Sequence, residues 1–132
     1  MIISKVCDRY AYSGVAFSSA KGLDMPWCKV CDKGLIAPDC IIYLDISVEE
    51  ASKRGNFGEE RYEKIDFQNK IREKFMQLKQ EDEESKNDHV PVPNWHVLDA
   101  TKSIEEVHKE IVSIVDSTIT NISETETKKL WL

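Results

Sequence analysis

Two short apolar runs, each closed by an aspartate and followed almost at once by Ser-x-x-Glu, constrain this chain more than any other feature. The first run is Cys40-Ile-Ile-Tyr-Leu-Asp45, nearly continuous in apolar residues with a β-branched centre, which is how a strand buried on both faces reads. Ser47-Val-Glu-Glu50 then has the form of a capping box, in which the serine and glutamate side chains satisfy backbone N–H groups at a helix start. Trp95-His-Val-Leu-Asp99 and Ser103-Ile-Glu-Glu106 repeat the unit, and Ile104, Val107, Ile111 and Ile114 or Val115 recur at helical spacing. Strand–helix alternation of this kind predicts an α/β protein with a parallel sheet. Ligands of such sheets bind beyond the carboxyl ends of the strands, where both aspartates fall. Asp8, after Val6-Cys7, repeats the pattern.

The rest of the chain is read around these two units. Residues 2–7 are a short apolar stretch that reads as a further strand. Residues 10–22 read as a helix ending near Gly22, and residues 26–33 as a short helix with Pro26 in its first turn and a stop at Gly34. Gly55 and Gly58 flank a glycine-hinged loop. A long helix is expected from 59 to about 84, with Tyr62, Ile65, Ile71, Phe75 and Leu78 as its apolar side. The acidic run Glu81 to Glu84 reads as a solvated helix end. The last ten residues read as frayed, with Leu130, Trp131 and Leu132 able to dock back.

The length of 132 residues suits one domain. The net charge of −6 argues against a nucleic-acid partner, since phosphate-backbone binding needs a basic face. It leaves room for one nucleotide, for which a local pair of arginines suffices. No apolar run approaches the ~20 residues of a membrane helix, so no membrane partner is expected. The expected location is the cytoplasm, with the nucleus or mitochondrion as alternatives, and the four cysteines are expected to be reduced there.

Three constellations carry chemistry. Asp8-Arg9-Tyr10 at a strand end suits a metal–phosphate site, with the carboxylate on a Mg²⁺-bound water and the guanidinium forked onto phosphate oxygens; it also fits a surface ion pair. Arg54-Gly-Asn-Phe-Gly-Glu-Glu-Arg61 places two arginines around a hinged loop, which suits a lid over phosphates; it also fits a plain charged loop. Trp27-Cys28-Lys-Val-Cys31 has the spacing of a dithiol redox motif, but no strand precedes it and no further zinc ligands stand at sensible spacing. The two thiols read as half-buried on a short helix. His89, His96 and His108 show no ligand spacing.

In their order and spacing these pieces resemble one family. Asp8-Arg-Tyr-Ala-Tyr-Ser-Gly-Val-Ala-Phe17, Gly22-Leu-Asp, Trp27-Cys-Lys and Asp32-Lys-Gly-Leu-Ile-Ala-Pro-Asp39 are similar to thymidylate kinases of the eukaryotic and poxviral type. So are Ile41-Ile-Tyr-Leu-Asp45, Glu50-Ala-Ser-Lys-Arg-Gly-Asn-Phe-Gly-Glu-Glu-Arg-Tyr-Glu63 with Phe67-Gln68, and Asp99-Ala-Thr-Lys102. Cys31 departs from the family, which usually has proline there. The resemblance implies a P-loop kinase-like three-layer α/β fold with a parallel sheet, over residues 1–121, with a lid at about 54–61 and a tail at 122–132. It implies ATP-dependent phosphorylation of dTMP to dTDP with Mg²⁺, and a homodimer. Asp8 would serve the metal through water, and Arg9 the dTMP phosphate. Ser13, Gly14 and Phe17 would shape the nucleoside pocket, with Tyr62 and Gln68 closing over it. Arg54 and Arg61 would serve the lid and the transferring phosphoryl group, and Ala100, Thr101 and Lys102 the adenine side.

The family's phosphate loop, G-x-x-x-x-G-K-[ST], does not occur in these 132 residues. That loop supplies the backbone N–H cradle, a lysine and a Mg²⁺-binding hydroxyl. The resemblance therefore implies an incomplete fold without the phosphate-loop strand and early helices, and negligible kinase activity from this chain alone. The alternatives are a non-catalytic nucleotide-binding or dimerisation module and, remotely, a Cys28/Cys31 dithiol protein.

Overall fold

The computed structural model describes residues 4–54, 61–122 and 127–132, with the side chains of 61–64 left out. Helix α1 (Ala11–Ala20) is followed by α2 (Met25–Lys29), which runs into a 3₁₀ turn at Val30–Asp32. Strand β1 (Cys40–Asp45), helices α3 (Val48–Lys53) and α4 (Arg61–Asn87), strand β2 (Asn94–Asp99) and helix α5 (Ile104–Asn121) complete the order. β1 and β2 pair in parallel from Cys40 opposite Asn94 to Asp45 opposite Asp99. α1 lies along α4, and α5 packs against β2.

Local chemistry explains the boundaries. The Ser47 hydroxyl accepts the Glu50 backbone N–H at the start of α3. Ser103 and Glu106 form the full reciprocal box at the start of α5. Asp24 caps α2 by accepting the Trp27 N–H at 3.1 Å, and no strand leads into that helix. Gly22 ends the α1 turn at φ +100°, a conformation only glycine adopts without strain.

Two expectations fail. Residues 4–7 form no strand and are exposed, Val6 at 94%; residues 1–3 lie outside the described residues. Among the described residues the sheet therefore has two strands, and nothing pairs with the far edge of β1. The acidic run is a solvated helix end only in part: Glu83 and Glu84 are exposed. α4 continues to Asn87, and Asp82, inside that run, is buried.

Asp82 is buried because it has two donors. Tyr12 Oη donates to it at 2.7 Å and Trp95 Nε1 at 2.8 Å. The Tyr12 ring meets the rings of Trp95 at 5.3 Å and Trp131 at 5.2 Å, both edge-on. Around this polar pin packs the core of Ala11, Val15, Ala16, Met25, Ala37, Leu78 and Leu130. Burial pushes the Asp82 carboxyl up, and the two donors only partly offset this. Burial and the facing carboxylate push the Tyr12 phenol above its ordinary range, so it acts as a donor throughout.

A second lock ties the end of β1 to α4. Arg72 Nε and Nη2 fork onto the two Asp45 oxygens at 2.7 and 2.8 Å. Hydrogen bonding to Arg72 holds the Asp45 carboxyl below its ordinary value, against a smaller opposing effect of burial.

Two predictions follow from these locks. Asp82→Ala leaves two buried donors without an acceptor and costs roughly 2–4 kcal/mol in chemical denaturation, whereas Asp82→Asn, which keeps a carbonyl acceptor, stays within about 1 kcal/mol. Because the folded-state value of Asp82 is raised, its favourable contribution is complete below the unfolded value of 3.8 and declines as pH rises through the folded value. Asn should abolish that slope. For Asp45 the sign is opposite: the stabilisation is present above 3.8 and is lost as pH falls through the lowered folded value. Arg72→Met should cost at most about 1 kcal/mol at neutral pH, because the pair is partly exposed, and the gap from wild type should close on acidification.

Candidate functional site

The segment entering α1 carries the first cluster. Arg9 has φ +66°, a left-handed conformation that a residue with a Cβ holds only where its surroundings impose it. From there its guanidinium carbon lies 5.3 Å from the centroid of the Phe17 ring, two turns along α1. Phe67, at the start of α4, meets Phe17 edge-on at 6.4 Å. α1 divides cleanly along its length. Tyr12, Val15, Ala16 and Ser19 are buried, while Ser13, Gly14 and Phe17 lie on the less buried side. A Cβ built on Gly14 would meet nothing within 4 Å. Arg9, Ser13, Gly14 and Phe17 thus share one surface, with a cation and an aromatic face at its edge. Asp8 precedes it, exposed. Gln68 is exposed on α4, next to Phe67.

The second cluster stands at the carboxyl ends of the strands. Arg54, the residue that ends α3, donates from Nη1 to the Ala100 carbonyl at 2.9 Å and from Nη2 to the Thr101 carbonyl at 3.3 Å. Asp99 accepts both the Thr101 hydroxyl, at 2.6 Å, and the Thr101 backbone N–H, at 2.9 Å. These bonds, the hydroxyl's first, hold the Asp99 carboxyl below its ordinary value. Lys102 pairs with Glu110 at 2.6 Å, which raises its ammonium. A cleft of about 320 Å³ opens here, lined by Asp45, Ser47, Asp99 and Thr101 among others. A larger hollow of about 710 Å³ surrounds Asp39, Asn94 and Ser117 near the other end of β2, and its lining contains none of the residues assigned to the nucleotides or the metal.

The structure therefore brings Arg9 to Phe17, and Arg54 to Ala100 and Thr101. Arg61 and Tyr62 fall where side chains are not described, and the hinged loop lies outside the described residues. Cys28 packs against the core and Cys31 is exposed, both as free thiols. Sequence reasoning missed Arg72 and undervalued Asp45. The strand-end position of Asp45 and the four-residue step from Gln68 to Arg72 on α4 were the available signals. Among the described residues no three-donor cluster of His, Cys, Asp or Glu is assembled, and no helix is long and apolar enough to cross a membrane.

Comparison with known proteins gives this geometry its relatives. The family model described as thymidylate kinase matches residues 3–111. Thymidylate kinase of Dictyostelium discoideum is 46% identical over 125 residues, covering 95% of this chain and 51% of that protein. The human thymidylate kinase is 39% identical over 130 residues, covering 98% of this chain and 57% of that protein. A solved thymidylate kinase structure from Candida albicans superposes with a TM-score of 0.69 at 26% identity, over 93% of this chain and 59% of that one. The chain thus spans about half the length of the curated relatives it matches. A match from residue 3 to residue 111, carried on a parallel strand pair with its arginines beside the strand ends and α1, places this chain in the thymidylate kinase family.

Proposed function

We propose that these residues form the acceptor side and part of the adenine side of a dTMP kinase, which transfers the γ-phosphoryl group of ATP to the phosphate of dTMP. The observation that carries this reading is the placement of Arg9. Its guanidinium is held in a strained backbone conformation above the aromatic face of Phe17. A nucleoside monophosphate needs that pair: an aromatic surface for the base and a forked cation for the phosphate. Gly14 lies one turn from Phe17 and leaves open space where the sugar and base can approach the helix backbone.

Phosphoryl transfer is mostly positioning and charge neutralisation. Arg9 binds and orients the acceptor phosphate. Arg54, anchored on the Ala100 and Thr101 carbonyls, supplies positive charge beside the donor nucleotide. Asp45 is committed to Arg72, and Asp99 to Thr101, which leaves Asp8, exposed beside Arg9 although no strand precedes it, as the candidate carboxylate. One carboxylate suits a Mg²⁺ that arrives on nucleotide phosphates and keeps several waters. Asp8 would hold such an ion through water, and the ion would neutralise phosphate charge. The phosphate-loop cradle is absent from these 132 residues, so the chain by itself should give no turnover above background in a coupled ADP-release assay.

Titration calorimetry of the chain with dTMP, thymidine and dAMP tests the acceptor-side reading. dTMP should bind more tightly than thymidine, and Arg9→Met should remove that difference, a loss of roughly ten- to a hundredfold for a charge-assisted contact. Equal affinities for dTMP and dAMP would count against a thymine pocket. Gly14→Ala separates fold from function. It should raise stability by about 0.5–1 kcal/mol, since the position is helical and open. It should also weaken dTMP binding, because the added methyl enters the space assigned to the nucleoside.

A further inference from the structure

We infer that the 128–131 segment is a strap that positions Arg9, and that Trp131 is its positioning residue. The inference rests on the proposed role of Arg9 for its functional meaning, and on the following geometry for its physical content.

The strap pairs with the chain after the 3₁₀ turn. Ala37 N–H donates to the Lys128 carbonyl at 2.9 Å, and Leu130 N–H donates to the Leu35 carbonyl at 2.8 Å. Gly34 N–H donates to the Leu130 carbonyl at 2.9 Å, with Gly34 itself at φ +85°. Ile36 and Lys129 are antiparallel bridge partners. Because the flanking residues make the hydrogen bonds, Ile36 is in a non-hydrogen-bonded pair, and its own N–H and C=O turn away from the strap. That carbonyl accepts the Tyr10 hydroxyl at 3.0 Å. The pairing register thus decides whether Tyr10, the neighbour of Arg9, has an anchor. A slip of one residue would turn the carbonyl round.

A second route starts from the same strap. Leu130 is buried in the core at 2% exposure and fixes the strap in depth. Trp131 then stands with φ +51°, a left-handed conformation uncommon for a bulky residue. Its ring lies 5.2 Å from the Tyr12 ring, with the Lys29 ammonium 5.4 Å above it. Lys29 is in turn paired with Glu81 of α4. Tyr12 is three residues after Arg9. The backbone of Arg9 is therefore bracketed: Tyr10 hangs on Ile36 and Tyr12 leans on Trp131. Both anchors trace to the strap. Among the described residues, three non-glycine residues have positive φ, and two of them are Arg9 and Trp131.

The test uses Trp131→Ala, Trp131→Phe and Tyr10→Phe in this chain, with two readouts. The first is the backbone amide resonances of Arg9 and Tyr10 in ¹⁵N-labelled protein without ligand. The second is affinity for dTMP against thymidine. Trp131→Ala should shift both amides and weaken dTMP on the order of tenfold, while thymidine stays within about twofold, the usual size of a coupling through shared contacts. Tyr10→Phe, which deletes one hydroxyl at the surface, should act in the same direction, and Trp131→Phe should restore most of the loss. Should Trp131→Ala fail to fold, Tyr10→Phe carries the decision. Folded variants whose Arg9 and Tyr10 amides do not move would overturn the strap's role, as would parallel loss of dTMP and thymidine. If the wild-type chain binds no dTMP, the acceptor-side reading falls, and the amide shifts still decide whether the strap sets Arg9.

Discussion

One buried phenol holds the described parts of this protein in register. Tyr12 reaches from α1 to Asp82 on α4 through its hydroxyl, and to Trp95 on β2 and Trp131 through the edges of its ring. Four chain segments far apart in sequence meet on one side chain. A carboxylate in such a place is costly unless its lone pairs are used. Here two donors converge on a single oxygen, so the polar group specifies the packing around it: α1 cannot slide along α4 without taking the Tyr12 donor from Asp82. Aromatic rings supply the area and the hydroxyl supplies the geometry. The site residues inherit that precision, because Arg9 lies just before α1 and Phe17 on it, on either side of Tyr12 in sequence.

Much of the framework was legible in the amino-acid order. β1 and β2 stood out as apolar runs, and the serine caps of α3 and α5 marked their helices within a residue. The expected burial of β1 on both faces is not met, since none of its residues is buried and Leu44 is about half exposed. What escaped was set by contacts between distant segments. Asp82 sits among four acidic residues, and local composition says solvent. Only the arrival of Tyr12 and Trp95, seventy positions upstream and thirteen downstream, makes it interior. Arg72 looked like one more charge on a helix until β1 placed Asp45 opposite it. Residues 2–7 were apolar enough for a strand, but a strand needs a neighbour, and among the described residues 4–7 have none. For the candidate site, Arg9, Phe17, Arg54, Ala100 and Thr101 were singled out through family resemblance. Their pairing into two clusters was not, since it depends on α1 lying along α4 and on the turn that follows β2.

The two clusters divide labour in a way that suits a transfer between two nucleotides. One is aromatic and helical, built on a rigid element with a buried face, and it presents a cation beside a hydrophobic plate. The other is made of backbone carbonyls and strand-end carboxylates, already knitted together by Arg54 and Thr101. Under the proposed function the first would recognise the acceptor and the second the donor's remote end, with the transfer in the space between.

The unpaired side of β1 has a consequence for how this polypeptide behaves in a tube. Alternate residues of this six-residue strand direct their N–H and C=O groups to that side, with Leu44 about half uncovered beside them. Among the described residues of β1 there is no lysine, proline or bulge, the devices by which natural sheets discourage strangers from zipping on. A margin of this kind serves as a template. Colloidal behaviour at high concentration will follow what this six-residue ribbon recruits more closely than it follows the net charge of −6.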